Sequence, residues 1–86
     1  MWRVARCPSP SPALDPHDRA ADVGRVVRAR RRRLGLRQEE LADLAGCSDR
    51  FVQALESGKP TVRLDKVLDV LSVLGLELQI VVRASP

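Results

Sequence analysis

With 86 residues the chain has room for one small domain, close to the size below which a single apolar core rarely holds a fold alone, so a partner subunit would help it. Trp2 and Phe51 are the only aromatic residues, which leaves Leu, Val and Ala to fill the core and suits short, closely packed helices. The net charge is +4, and Arg25, Arg28, Arg30, Arg31, Arg32, Arg33 and Arg37 fall within one short stretch; that pattern points to a basic face for a polyanion over a merely solvated surface. No apolar run is long enough to span a bilayer, and Met1 to Pro12 lack the apolar segment of a signal peptide, so the expected location is the cytoplasm and no membrane partner is expected.

Residues 1–21 carry Pro8, Pro10, Pro12 and Pro16 with Ser9 and Ser11 between them. Proline removes backbone donors and disfavours both helix and sheet, so this stretch is predicted to be a disordered tail, unless translation starts further downstream. One folded domain is predicted over 22–75, followed by a C-terminal segment over 76–86. Asp22 suits an N-cap, Val23, Val26, Val27 and Leu34 recur at helical spacing, and Gly35 suits a helix end; the first helix is therefore predicted over 23–34.

A second helix is predicted from Gln38 to Ala45, with Leu41, Ala42, Leu44 and Ala45 on its apolar side, Glu39 and Glu40 in its first turn, and Gly46 ending it. Ser48 caps a third helix running to about Ser57, in which Val52, Leu55 and Phe51 turn inward while Asp49, Arg50 and Gln53 turn outward. Gly58, Lys59 and Pro60 end it. Leu64, Val67, Leu68, Leu71 and Leu74 then mark a fourth helix closed by Gly75.

After Gly75 the period changes to that of a strand: Leu76, Leu78, Ile80 and Val82 alternate with Glu77, Gln79, Val81 and Arg83. A strand needs hydrogen-bonding neighbours, and no other segment reads as one, so antiparallel pairing with a second copy is expected, its apolar row covered against the helices. A frayed tail or a longer fourth helix is the plainer alternative.

A helix-turn-helix needs two short helices, a tight turn and polar groups at the start of the second helix, and Gln38 to Ser57 supplies all three. The stretch GLRQEELADLAGCSDRFVQALESGK resembles the Xre or Cro/C1-type helix-turn-helix family, through Arg31, Gly35, Leu36, Gln38, Leu41, Ala42, Gly46, Ser48, Val52, Leu55, Glu56 and Gly58. The resemblance implies an all-α fold, a lambda-repressor-like four-helix bundle, to which the strand reading above adds one C-terminal strand pairing across a homodimer. It implies that Gln38 contacts DNA at the start of the second helix, that Ser48, Asp49, Arg50 and Gln53 face the groove or its walls, and that Arg31 pairs with Glu56 inside the domain.

The stretch GKPTVRLDKVLDVLSVLGLELQIVV is similar to the C-terminal part of HipB-type antitoxins. Those proteins repress their own operon and bind a HipA-type serine/threonine kinase toxin, which makes such a kinase an expected partner beside a two-fold double-stranded operator. Three departures limit the carry-over. Arg37 stands where Thr or Ser usually caps the second helix, a loss on the order of 1 kcal/mol. Asp49 either accepts from a cytosine amine or serves only as a helix-start charge offset by Arg50. Gln53 replaces a small residue and reaches either an adenine edge or a phosphate.

Arg50 is the first candidate for direct base reading, because a guanidinium bonds guanine O6 and N7 together; the alternative is a phosphate clamp. Arg37, Gln38 and Lys59 are expected on the DNA backbone. Cys7, Cys47 and His17 do not make a zinc site, no cofactor is expected, and Cys47 reads as a small apolar residue. No nucleophile triad, metal spacing or phosphate-cradling glycine loop argues for an enzyme. The expected function is a dimeric repressor, the antitoxin of a HipA-like system. The alternatives are a stand-alone regulator, or an adaptor whose basic face binds an acidic protein.

Overall fold

The computed structural model describes residues 16–82, so the predicted Pro-rich tail lies, over residues 1–15, outside the described residues. Four helices follow in order: α1 Pro16–Arg33, α2 Gln38–Ala45, α3 Asp49–Glu56 and α4 Leu64–Val73. The first begins well before the predicted start. Pro16 is compatible with a first helical position, where its missing N–H would have no partner anyway, and Ala20 and Ala21 extend the helix at little entropic cost. Asp22 is therefore not an N-cap; it lies inside α1 and pairs with Arg25 one turn on, at the surface.

All four helices end alike. At Gly35, Gly46, Gly58 and Gly75 the backbone enters the left-handed region, and the next residue's N–H turns back to a carbonyl in the helix's last turn: Leu36 to Arg31 at 3.1 Å, Cys47 to Ala42 at 3.0 Å, Lys59 to Ala54 at 3.0 Å and Leu76 to Leu71 at 2.8 Å. A Cβ penalises that conformation, which is why glycine marks each boundary so clearly in the sequence.

The core consists of Val27, Leu41, Ala42, Ala45, Val52, Leu55, Val67, Val70, Leu71 and Leu74, with Phe51 and Cys47 packed at its edge. It is the Leu, Val and Ala interior that the composition required. Five predicted core positions are corrected. Val26, Leu34, Leu44, Leu64 and Leu68 are exposed, Leu44 at 63% and Leu64 at 61%: Leu34 falls in the turn after α1, and the other four sit on the flanks of their helical stripes. Burial of Cys47 pushes its thiol pKa up, as does the charge of Asp69, against a lowering by Lys66.

α1 packs chiefly on α3, while α2 packs on both α3 and α4. The α1–α3 crossing is very close: a Cβ at Gly24 would lie 2.5 Å from the Leu55 carbonyl oxygen and 2.7 Å from that of Glu56. Glycine in a helix interior is disfavoured by roughly 1 kcal/mol relative to alanine, so Gly24 exchanges local propensity for direct backbone packing.

From Leu76 to Val82 the chain is not helical, and no strand forms among the described residues. Leu76 packs against the core, but Ile80 and Val82 stand 91% and 95% exposed. The predicted row Leu76, Leu78, Ile80 and Val82 is thus covered only at its root within one chain. Among the described residues no helix is long and apolar enough to cross a membrane.

Candidate nucleic-acid interface

α2, the turn at Gly46–Cys47–Ser48, and α3 form the helix-turn-helix. Its second helix is started by Ser48, whose hydroxyl oxygen accepts the Phe51 N–H at 3.1 Å, the cap read from the sequence. The turn is braced from α4, where the Lys66 ammonium donates to the Gly46 carbonyl at 3.1 Å. The cation meets the negative end of α2, so Lys66 helps hold the angle between the two helices.

Arg37 precedes α2 and has no side-chain acceptor for the helix's free N–H groups, as its chemistry requires. Glu40 compensates in part by accepting the Arg37 backbone N–H at 2.8 Å, which is half of a capping box. The Arg37 guanidinium stays exposed, 3.8 Å from Glu40. At the surface such a pair contributes little, and leaves the arginine available to a phosphate.

Behind the interface lies a buried polar network. Arg31 grips Glu56 through Nε–Oε2 at 2.6 Å and Nη2–Oε1 at 3.0 Å, and donates from Nη1 to the Leu36 carbonyl at 2.8 Å. Gln38 adds its Nε2 to Glu56 Oε1 at 3.1 Å. The two charged side chains are only 10% and 5% exposed, and no buried side-chain polar atom among the described residues lacks a partner. Burial is the largest single influence on Glu56 and pushes its pKa up; hydrogen bonds from Arg31 and Gln38, with the charges of Arg31 and Arg28, outweigh it and hold the carboxyl below the usual range. Arg31 is raised in turn, first by its hydrogen bond to Glu56. One network therefore ties α1, the loop before α2, the start of α2 and the end of α3. The Arg31–Glu56 pair was expected; the third member, Gln38, was expected only on DNA.

Over this network opens a recess of about 460 Å³ lined by Arg28, Arg31, Arg32, Arg37, Gln38, Gln53, Glu56 and Ser57. It brings together three of the predicted site residues, Arg37, Gln38 and Gln53. Ser48, Asp49 and Arg50 stand exposed at the other end of α3, and Lys59 is exposed beyond its C-terminus. Asp49 lies in the first turn of α3 and makes no ion pair with Arg50 among the described residues. Arg28 and Arg32 were missed as individual residues, having been read only as part of a diffuse basic stretch. The signal available was their spacing of four, which puts them on one face of α1 beside Arg31. Arg30, in contrast, turns away and donates from Nε to the Leu74 carbonyl at 2.9 Å.

Two short helices joined by a glycine turn, the second exposing its polar N-terminus, with a cationic recess toward its other end, define a helix-turn-helix protein. Residues 22–83 match the helix-turn-helix domain family, and the chain belongs to that family, in its Xre-like branch. The chain is also 50% identical over 60 residues, 70% of its length and 79% of the relative's, to y4mF of Sinorhizobium fredii, an uncharacterized HTH-type transcriptional regulator.

Proposed function

We infer that this chain is a sequence-specific transcriptional repressor that binds a two-fold operator as a homodimer. The observation that supports the DNA reading most directly is the exposed start of α3, with Ser48, Asp49, Arg50 and Gln53 outward and the helix locked from behind by Val52 and Leu55. Arg50 reads a guanine edge, Gln53 lies between base and backbone, and Asp49 acts as a helix-start charge. Arg37, Gln38 and Lys59 hold phosphates. The similarity to y4mF, itself described as a transcriptional regulator, supports the same reading.

The homodimer forms through Leu76, Leu78, Ile80 and Val82, whose outer members have no cover within one chain. Cross-dimer pairing satisfies their backbone groups and removes apolar surface from water together. The finer assignment, a HipB-like antitoxin that binds a HipA-like kinase, rests on the likeness of residues 58–82 to that family.

A pull-down of tagged full-length protein from its native host, with promoter DNA tested in parallel, separates the readings. Recovery of a HipA-like kinase with promoter binding is the expected outcome. Promoter binding without a kinase leaves a stand-alone regulator, and salt-sensitive DNA binding without operator preference would favour the adaptor.

A further inference from the structure

Arg30 and Arg31 are chain neighbours with separate duties. Arg31 holds the recognition helix through Glu56, whereas Arg30 reaches across 44 residues to the Leu74 carbonyl at the C-cap of α4. α1 otherwise packs mainly on α3 and α4 on α2, so this bond is one of few direct ties between α1 and α4. It also fits the local chemistry. The nearby carbonyls of Leu71 and Ser72 accept the N–H groups of Leu76 and Gly75, and Arg30 supplies a charged donor to Leu74, at the negative end of the helix. The guanidinium lies over the turn itself, where a Cβ on Gly75 would stand 3.5 Å from its Nη2.

We propose that Arg30 is a positioning residue: by fixing the α4 end against α1 it sets the direction in which the C-terminal arm leaves the domain, and so the spacing of the two DNA half-sites. This rests on the dimeric reading above. Arm direction is amplified by length. Paired as a strand, Leu76 to Val82 spans about 20 Å, so a pivot of about 20° at its root displaces the far end by about 7 Å, on the scale of two base-pair steps of ~3.4 Å. Between the recognition helix and the arm, α2 packs on both α3 and α4, and a second path through α1, held by Arg31 on one side and Arg30 on the other, fixes the α4 end from the opposite flank.

The test uses the full chain and double-stranded DNA selected by the wild type from a random pool, re-made with the same half-sites at spacings altered one base pair at a time. Wild type should favour one spacing over its neighbours by about tenfold, the scale of a single hydrogen bond to a charged group. Arg30→Met keeps the aliphatic stem and removes the donor. Its preference should flatten to within about threefold, with single half-site affinity and salt slope unchanged, and Arg30→Lys should regain most of the preference. Undiminished spacing preference in Arg30→Met would overturn the proposal. So would a reduced salt slope, which marks a phosphate contact, or loss of the folded circular-dichroism spectrum, which marks a residue needed for folding. A wild type that selects no paired half-sites would instead remove the dimeric reading itself, and that outcome is seen without any variant.

Discussion

The α1–α3 half of the molecule and the C-terminal arm are built on opposite terms. The first closes on itself: Gly24 lets two backbones touch, and the Arg31, Glu56 and Gln38 network satisfies its own polar groups. The second is anchored at Leu76 and Arg30 and then runs outward, with Ile80 and Val82 almost wholly exposed. The half that holds α3 satisfies its buried polar groups within one chain, while the outer residues of the arm find almost no cover there. On the proposed reading, that division lets DNA reading and assembly be perturbed separately.

Glu56→Ala should have the largest effect on the closed half. It strands the Arg31 guanidinium in a buried setting, a change that costs about 3 to 5 kcal/mol, read as a lower denaturation midpoint in urea. Because the folded Glu56 pKa lies below its unfolded value, its contribution is fully present above the ordinary carboxylate range and lost as pH falls through the depressed value. Acid titration of stability should therefore be shallower in Glu56→Gln than in wild type. Gly24→Ala comes next, since its Cβ would meet backbone oxygens that cannot rotate aside. A loss of about 2 to 3 kcal/mol is expected from this overpacking, against the small gain alanine brings to an open helix.

Ser48→Ala should cost about 1 kcal/mol through loss of the α3 cap and weaken DNA binding at the same time. At the bottom of the scale, Ile80→Asp should leave the stability of the monomer within about 0.5 kcal/mol, because the residue is already exposed. Sedimentation should nevertheless show the dimer dissociating at concentrations where wild type stays paired. A dimer of undiminished strength in Ile80→Asp would transfer assembly from the arm to another face.

Local rules made much of this legible. The bounds of α2, the Ser48 cap and the four glycine exits follow from interactions within a few residues, and sequence displays them directly. The start of α1 was misplaced because Asp22 followed by a valine stripe has the look of an N-cap, when the preceding Pro16 and alanines already continue the helix. Exposure of Leu44, Leu64 and Leu68 was hidden for another reason: helical period tells that a residue is apolar on a stripe, but the width of the neighbouring helix decides which edge is covered. The ties made by Gln38, Lys66 and Arg30 join residues 18 to 44 positions apart, and nothing in spacing selects those partners. Of seven arginines that read as one basic stretch, the fold withdraws Arg30 and Arg31 into structural bonds and leaves Arg28, Arg32 and Arg37 around the recess.

The central claim, that the start of α3 reads DNA, is met most directly by fluorescence anisotropy of the full chain on its own promoter fragment across a salt series, wild type beside Arg50→Ala. If a dimer neutralises roughly six phosphates, log affinity should fall against log salt with a slope of about −5. Arg50→Ala should lose about 1 to 3 kcal/mol of preference for the promoter over unrelated DNA. A flat salt dependence, or an Arg50→Ala variant that discriminates between the two DNAs as well as wild type does, would contradict the account.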